Sequence, residues 1–281
     1  MQLLTISFIG GGNMAEALIA GLKRAGHPVD QIWVADPGEA RREQLRSQYG
    51  VRTTADNSEA AACADMLVMA VKPQQMQGAL SGLGKCLKAD ATIVSIAAGV
   101  STASLAEWLD GVANLVRVMP NTPSLVGEGM SVLYSAASEI HRNRAVYLMQ
   151  ACGAVEWVDN EQQMHAVTAV SGSGPAYFFL LTEVMQASGV ALGLSEELAW
   201  KLATQTAFGA GRMLVESGRA PEILRQQVTS PGGTTQAALD VMFEEGLPGT
   251  VRNALSAASK RSKEIAGGFI YSAIFCRRWP V

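Results

Sequence analysis

The tightest constraint on this chain lies at its start. Leu3–Ile9 is a short apolar run, Gly10-Gly11-Gly12-Asn13-Met14-Ala15 follows, and apolar or small residues then recur at Met14, Ala17, Leu18, Gly21, Leu22 and Ala25. The run reads as a buried strand, and the i, i+3, i+4, i+7 spacing as one face of a helix. Between them stands GxGxxA. Gly10 permits a tight turn, Gly12 lets the backbone approach a pyrophosphate, and Ala15 lets the helix pack closely on the strand. The helix N-terminus then offers free N–H groups and a positive dipole end to phosphates. This opening predicts a strand–turn–helix unit that holds a dinucleotide, with Gly10, Gly11, Gly12, Asn13 and Met14 as its binding residues.

The next part of the chain repeats that grammar. Gln31–Ala35, Met66–Val71, Thr92–Ile96 and Asn114–Met119 read as strands. Ala40–Tyr49, Pro73–Leu87 and Ser101–Leu109 read as helices. Strands alternating with helices imply βαβ units and a parallel sheet, because parallel neighbours need a crossover. Ligands of such sheets bind beyond the carboxyl ends of the strands. That singles out Asp36 after the second strand, Val71 and Lys72 in Ala70-Val71-Lys72-Pro73, and Ala98 in Ala97-Ala98-Gly99. Asp36 stands where an acidic residue holds a ribose 2′-OH and favours NADH. Arg41 and Arg42 follow closely and offer forked donors to a 2′-phosphate, or line a solvated helix face. The choice between NADPH and NADH stays open.

The pattern changes after about Asp159. From Val167 to Ser195 the only charged residue is Glu183, and Leu202–Gly211 carries none. A surface helix of a monomer shows a polar face. Helices apolar on every side point to packing against a second subunit, the competing reading being a well-covered monomeric bundle. The expected architecture is an α/β Rossmann-type domain over residues 1–160, an all-α dimerisation domain over residues 161–266, and a tail over residues 267–281. Within the second domain, Thr229-Ser230-Pro231-Gly232-Gly233-Thr234-Thr235 precedes a helix with apolar Ala238, Leu239, Val241, Met242 and Phe243. Such a nest of N–H groups suits a small anion, most simply a carboxylate. The hydroxyls of Ser230, Thr234 and Thr235 add donors. The competing reading makes Thr234 or Thr235 a plain N-cap.

Composition removes several function classes. A net charge of -3, from 22 basic and 25 acidic residues, argues against a nucleic-acid-coating surface. The four cysteines are widely spaced, without CxxC, which fits a reducing cytoplasm. His27, His141 and His165 are dispersed, without HExxH or a His/Cys cluster, so no metal site is expected. No uninterrupted apolar run reaches the roughly 18 residues of a membrane span. The start lacks a basic region, since the first lysine is Lys23. Ile265–Val281 reads as a docked or frayed tail. No Ser/His/Asp set is recognisable. Hydride transfer to an already electrophilic C=N bond would need little acid–base help, most of the rate coming from holding donor and acceptor carbons about 3–3.5 Å apart.

The segments GGGNMAEALIAGL, AVKPQ, SIAAGV, VRVMPNTPSLVGEGM, VSGSGPAY and VTSPGGTTQAAL follow one another as in the pyrroline-5-carboxylate reductases. The chain resembles that family across residues 5–264. The resemblance implies a cytoplasmic enzyme that reduces the cyclic imine 1-pyrroline-5-carboxylate to L-proline with NADPH or NADH, the last step of proline biosynthesis. It implies that Gly10–Met14 hold the pyrophosphate and that Asn57 contacts the adenosine end. Val71, Lys72 and Ala98 would line the ribose and nicotinamide side. Ser230, Gly232, Gly233, Thr234 and Thr235 would cradle the substrate carboxylate through backbone N–H groups. Thr235 would hydrogen-bond the ring nitrogen and supply or relay its proton, making it the catalytic candidate. Glu161 matches an acidic position near the substrate, or is a helix-start carboxylate favoured by the dipole. The family builds its substrate site between two interlocked C-terminal domains, so a homodimer or larger homo-oligomer is expected. The β-hydroxyacid dehydrogenases share the plan but carry a catalytic lysine soon after a glycine motif in the central helix. Here Gly172–Tyr177 is followed by no lysine until Lys201. A dinucleotide sensor without turnover is the remaining alternative, disfavoured by the intact Ser230–Thr235 loop.

Overall fold

A computed structural model describes residues 4–267 of the chain. Five short runs form parallel strands around β1 (Ile6–Ile9): β2 (Ile32–Ala35), β3 (Arg52–Thr54), β4 (Met66–Met69) and β5 (Thr92–Ser95), with β6 (Leu115–Met119) continuing the same direction. The eight-stranded sheet has the order β3-β2-β1-β4-β5-β6-β7-β8. Strands β7 (Gly129–Tyr134) and β8 (Gly153–Trp157) pair parallel to each other, but β7 meets β6 antiparallel.

Strands β1, β4 and β5 are buried at every position. Cover on both faces accounts for their largely apolar composition, in which Ser7, Thr92 and Ser95 are the buried polar residues. Side chains alternate across the sheet. Ile6, Phe8, Met66, Val68 and Val94 pack on one side with Leu18 and Leu22 of α1 (Asn13–Arg24) and Leu148 of α6 (Glu139–Gln150). Ile9, Leu67, Met69 and Ile93 pack on the other with Ala60 of α3 (Asn57–Cys63), Met76 of α4 (Pro73–Leu80) and Leu105 of α5 (Thr102–Trp108). Helix α2 (Glu39–Tyr49) buries only Leu45, matching its charged sequence.

Two expectations about elements need correction. The helix expected over Pro73–Leu87 ends at Leu80, because Gly82 takes φ +77 and a separate 3₁₀ turn, Leu83–Cys86, follows. The strand–helix reading also stopped at Met119. The structure continues the sheet with β7 and β8, and adds β3 at the opposite edge.

The chain divides into two compact units. The first holds everything up to Gly172 together with the segment that begins at Ala258; the second is Ser173–Ala257. The change at residue 160 seen in the sequence falls inside the first unit, which includes α7 (Met164–Val167) and a π-helical segment, Thr168–Gly172. The end of α12 (Leu247–Gly267) also belongs there, where buried Ser262 hydrogen-bonds His165 Nδ1 at 2.9 Å. Of the expected tail, only Gly267 is among the described residues.

The second unit contains α8 (Gly174–Ala191), α9 (Glu196–Glu216), α10 (Pro221–Gln227), α11 (Thr234–Glu244) and the start of α12. Helices α8 and α9 pack closely, with Gly189 set against Ala199 and Leu194. In the single chain these helices leave large apolar groups in solvent: Phe178 is 64% exposed, Phe179 66% and Phe208 60%. Among the described residues no helix is long and apolar enough to cross a membrane, and no cluster of His, Cys, Asp and Glu could hold a metal ion.

Candidate active site

From β1 the chain runs to β2 on one side; after β3 it returns to β4 on the other. Such a switch point opens a crevice beyond the strand ends. The glycine loop lies there. Gly10 N donates to Ala35 O and Ala70 N to Ile9 O, each at 2.8 Å, drawing the ends of β1, β2 and β4 together. Gly10 has φ +96, and a Cβ there would lie 2.9 Å from both Ala70 O and Val71 Cγ1. Only glycine suits that position. Gly11 is buried, with its N–H on Asp36 Oδ2 at 2.9 Å. Gly12 and Asn13 are exposed, and a Cβ on Gly12 would meet no atom within 4 Å. Gly12 is also the N-cap of α1, with no side chain capping the helix. Uncapped first-turn amides beside open surface are what a pyrophosphate needs. The residues present therefore fit a dinucleotide.

The other candidate cofactor residues lie at the carboxyl ends of neighbouring strands. Asp36, after β2, accepts from Gly11 N through Oδ2 and from Gly38 N through Oδ1 at 2.8 Å. Both oxygens thus shape the loop. Arg41 places all three of its nitrogens on the protein, onto Gly11 O, Glu16 and Gln44, whereas Arg42 places only Nη1, onto Asp36 O and Pro37 O. Asn57 follows the N-cap Asp56 of α3 and donates to Ala79 O at 3.3 Å. Val71 is half-buried, and exposed Lys72 is the N-cap of α4. Ala98 is half-buried between Ala97 and Gly99, the latter with φ +79 and packed against Ile265. Met14 is half-buried in the first turn of α1.

Glu161 is held from two sides. Its Oε1 accepts from Arg117 Nη1 and Thr102 N, and its Oε2 from Thr102 Oγ1, all at 2.8 Å. The Arg117 side chain on β6 is 4% exposed. Burial would raise the Glu161 carboxyl, but the bonds from Arg117 and Thr102 outweigh it and hold its pKa below the ordinary value. Arg117, Thr102 and Asn121 carry no role that the sequence pattern alone assigns. Asn121 donates to Ser171 O at 3.1 Å and accepts from Met130 N at 2.9 Å. It ties the end of β6 to β7 and to the π segment, a distortion frequent at functional sites. The signal was present, since Arg117 and Asn121 both lie in VRVMPNTPSLVGEGM.

In the second unit, Gly232 takes φ +71 and Gly233 N donates to Ser230 O at 3.0 Å, closing a tight turn before α11. The N-cap is Gly233, not a threonine, and no side chain caps the helix. Ser230, Thr234 and Thr235 are exposed. The amides and hydroxyls are thus gathered at one helix mouth, the arrangement that suits a carboxylate.

Residues 161–265 match the family model described as pyrroline-5-carboxylate reductase dimerisation. Residues 5–99 match that described as NADP oxidoreductase coenzyme F420-dependent. The pyrroline-5-carboxylate reductase of Pseudomonas aeruginosa is 47% identical over 263 residues, covering 93% of this chain and 96% of that protein. The chain belongs to the pyrroline-5-carboxylate reductase family. Solved reductases of this family share its three-dimensional form. That from Coxiella burnetii has a TM-score of 0.88 at 40% identity and covers 94% of this chain and 99% of its own. That from Plasmodium falciparum, crystallised with NADP, has a TM-score of 0.84 at 31% identity, covering 95% and 99%.

Proposed function

We propose that this chain reduces 1-pyrroline-5-carboxylate to L-proline with NADPH or NADH, completing proline biosynthesis. The observation that carries the reading is the pair of uncapped, glycine-opened helix mouths, at Gly12 and at Gly233. Membership of the family supplies the reaction. Residues 1–160 are read as the cofactor domain and residues 161–266 as the dimerisation and substrate domain.

When bound, the reduced nicotinamide supplies a hydride to the carbon of the C=N bond. The chain must do three other things. First, the amides of Gly12, Asn13 and Met14 and the dipole of α1 fix the pyrophosphate, while Gly10 and Gly11, whose own N–H groups bond Ala35 O and Asp36, shape the turn beneath it; Asp36 and Asn57 border the adenosine end and Val71, Lys72 and Ala98 the ribose and nicotinamide side. Second, the amides of Gly232, Thr234 and Thr235 and the hydroxyls of Ser230 and Thr234 hold the substrate carboxylate, while the Gly233 amide closes the turn onto Ser230 O. Third, the ring nitrogen gains a proton as its carbon gains hydride. The exposed Thr235 hydroxyl is the proposed donor or relay. Glu161 takes an indirect part: its oxygens are engaged by Arg117 of β6 and Thr102 at the start of α5, so it ties these elements together instead of reaching outward.

The exposed phenylalanines of α8 and α9 support a homo-oligomer, with a second copy as the partner that covers them. Cys63, Cys86 and Cys152 are unpaired, which suits a reducing cytoplasm. Burial pushes the Cys152 thiol up to about 11, so it stays inert.

Initial rates of NADPH and NADH oxidation with the cyclic imine test the reading. Oxidation that depends on the imine is expected with at least one cofactor. Tight cofactor binding with no imine-dependent oxidation would instead make the chain a dinucleotide sensor.

A further inference from the structure

Two neighbouring arginines on the first turn of α2 have different attachments. Arg41 uses all three of its nitrogens on the protein. Nε donates to Gly11 O at 2.5 Å, Nη2 to Glu16 Oε2 at 2.6 Å and Nη1 to Gln44 Oε1 at 2.9 Å. Tyr49, at the end of the same helix, donates its hydroxyl to the other Glu16 oxygen at 2.9 Å. The brace therefore joins the first turn of α1 to both ends of α2 across the Gly11 peptide. The Arg41 side chain is only 22% exposed. Glu16 sits below the ordinary carboxylate pKa: burial pushes it up, but the hydrogen bonds from Arg41 and Tyr49 prevail.

Arg42 is different. Its Nη1 caps the turn through Asp36 O at 2.7 Å and Pro37 O at 2.9 Å. Its Nε and Nη2 have no hydrogen-bond partner among the described residues. It stands beside Asp36 at the end of β2, where a doubly wound fold places the adenosine ribose. A guanidinium with donors left over there can bind a 2′-phosphate; one engaged on every nitrogen cannot without breaking its brace.

We propose that Arg41 is a positioning residue that sets the Gly11 peptide of the cofactor loop, and that Arg42, not Arg41, reads the 2′-phosphate of NADPH. The proposal rests on the dinucleotide reading of this loop.

The test is calorimetric binding of NADPH and NADH to the full chain, with KM and kcat measured in parallel. Arg41→Ala should weaken both cofactors by a similar factor of about ten, the size of a lost charged hydrogen bond, and leave their ratio unchanged. KM for both should rise far more than kcat falls. Arg41→Lys should recover part of the loss, because an ammonium can keep Gly11 O or Glu16. Arg42→Gln should weaken NADPH about tenfold and leave NADH within about twofold. A changed NADPH/NADH ratio in Arg41→Ala would make Arg41 a phosphate ligand and overturn the assignment. Unchanged affinities in Arg41→Ala, or an unchanged ratio in Arg42→Gln, would also overturn it. Should Arg41→Ala not fold, Glu16→Gln releases the brace more gently and must still weaken both cofactors alike. Wild-type protein that binds neither dinucleotide would defeat the underlying reading instead.

Discussion

Thr235 is the proposed donor or relay of the proton that the substrate's ring nitrogen gains. A hydroxyl at the mouth of α11 can direct a proton at one atom, which backbone amides holding a carboxylate do not. Thr235→Ala should lower kcat by about 10²-fold, the lower end for lost proton transfer, while calorimetric affinity for NADPH stays nearly intact. Equal loss of turnover and cofactor affinity would make Thr235 structural. At this scale legibility was uneven. Gly10 was readable, because φ +96 and the approach to Ala70 O are what GxGxxA exists to permit. Asp36 was readable as a position only. Spacing cannot say that Gly11 and Gly38 amides take its oxygens. Arg117 and Asn121 were unreadable as partners, because their contacts, Glu161 and Ser171, lie 44 and 50 residues away.

Among the elements, the Arg117–Glu161 pair joins β6 to the 3₁₀ turn Glu161–Gln163 that leads into α7. Arg117 is buried, so removing it strands a carboxylate instead of merely losing an attraction. Arg117→Met should cost about 3 kcal/mol in urea unfolding, and adding Glu161→Gln should return part of that. A cost no larger than that of a surface pair, below about 1 kcal/mol, would show that solvent already satisfies Glu161. Strands β1, β2, β4, β5 and β6 were legible because burial on both faces favours largely apolar runs, even where Ser7 or Arg117 interrupts them. Strand β3 was not: Arg52-Thr53-Thr54 is a short polar edge whose pairing with β2, not its composition, makes it a strand. Strand β8 is another edge, alternating between half-buried and exposed, and the antiparallel turn into β7 departs from the βαβ rhythm that carried the reading that far.

For the molecule as a whole, acid should unfold the protein in two stages. Burial lowers the pKa of His27, of His141 (helped by Arg144) and of His165 (helped by Arg117). All three are held neutral in the fold, whereas the unfolded chain takes up protons near pH 6.5. The unfolded state binds more protons in that window, so stability rises with pH. The histidine contribution is complete above about pH 6.5 and is lost as pH falls toward the folded values. Glu16, Asp65 and Glu161 are depressed despite burial, through their hydrogen bonds and ion pairs. Their contribution is present above the ordinary carboxylate range and disappears below it. The urea midpoint should therefore fall first as pH drops below about 6.5 and again below about 4.5; a midpoint flat from neutrality to about pH 5 would contradict the histidine assignment.

The expected domain change rests on the loss of charge after Asp159, and the expected second copy on helices with no polar face. Packing places the unit boundary at Gly172 instead, because α7 and the end of α12 lie with the sheet, a long-range association that composition does not encode. Catalysis requires hydride to pass from nicotinamide to the carbon of a cyclic imine. The most direct measurement follows the label from NADPH deuterated at the transferring position. Deuterium should appear in L-proline, on the ring carbon that had been double-bonded to nitrogen, with one proline formed per NADPH oxidised. NADPH consumed without labelled proline would contradict the account.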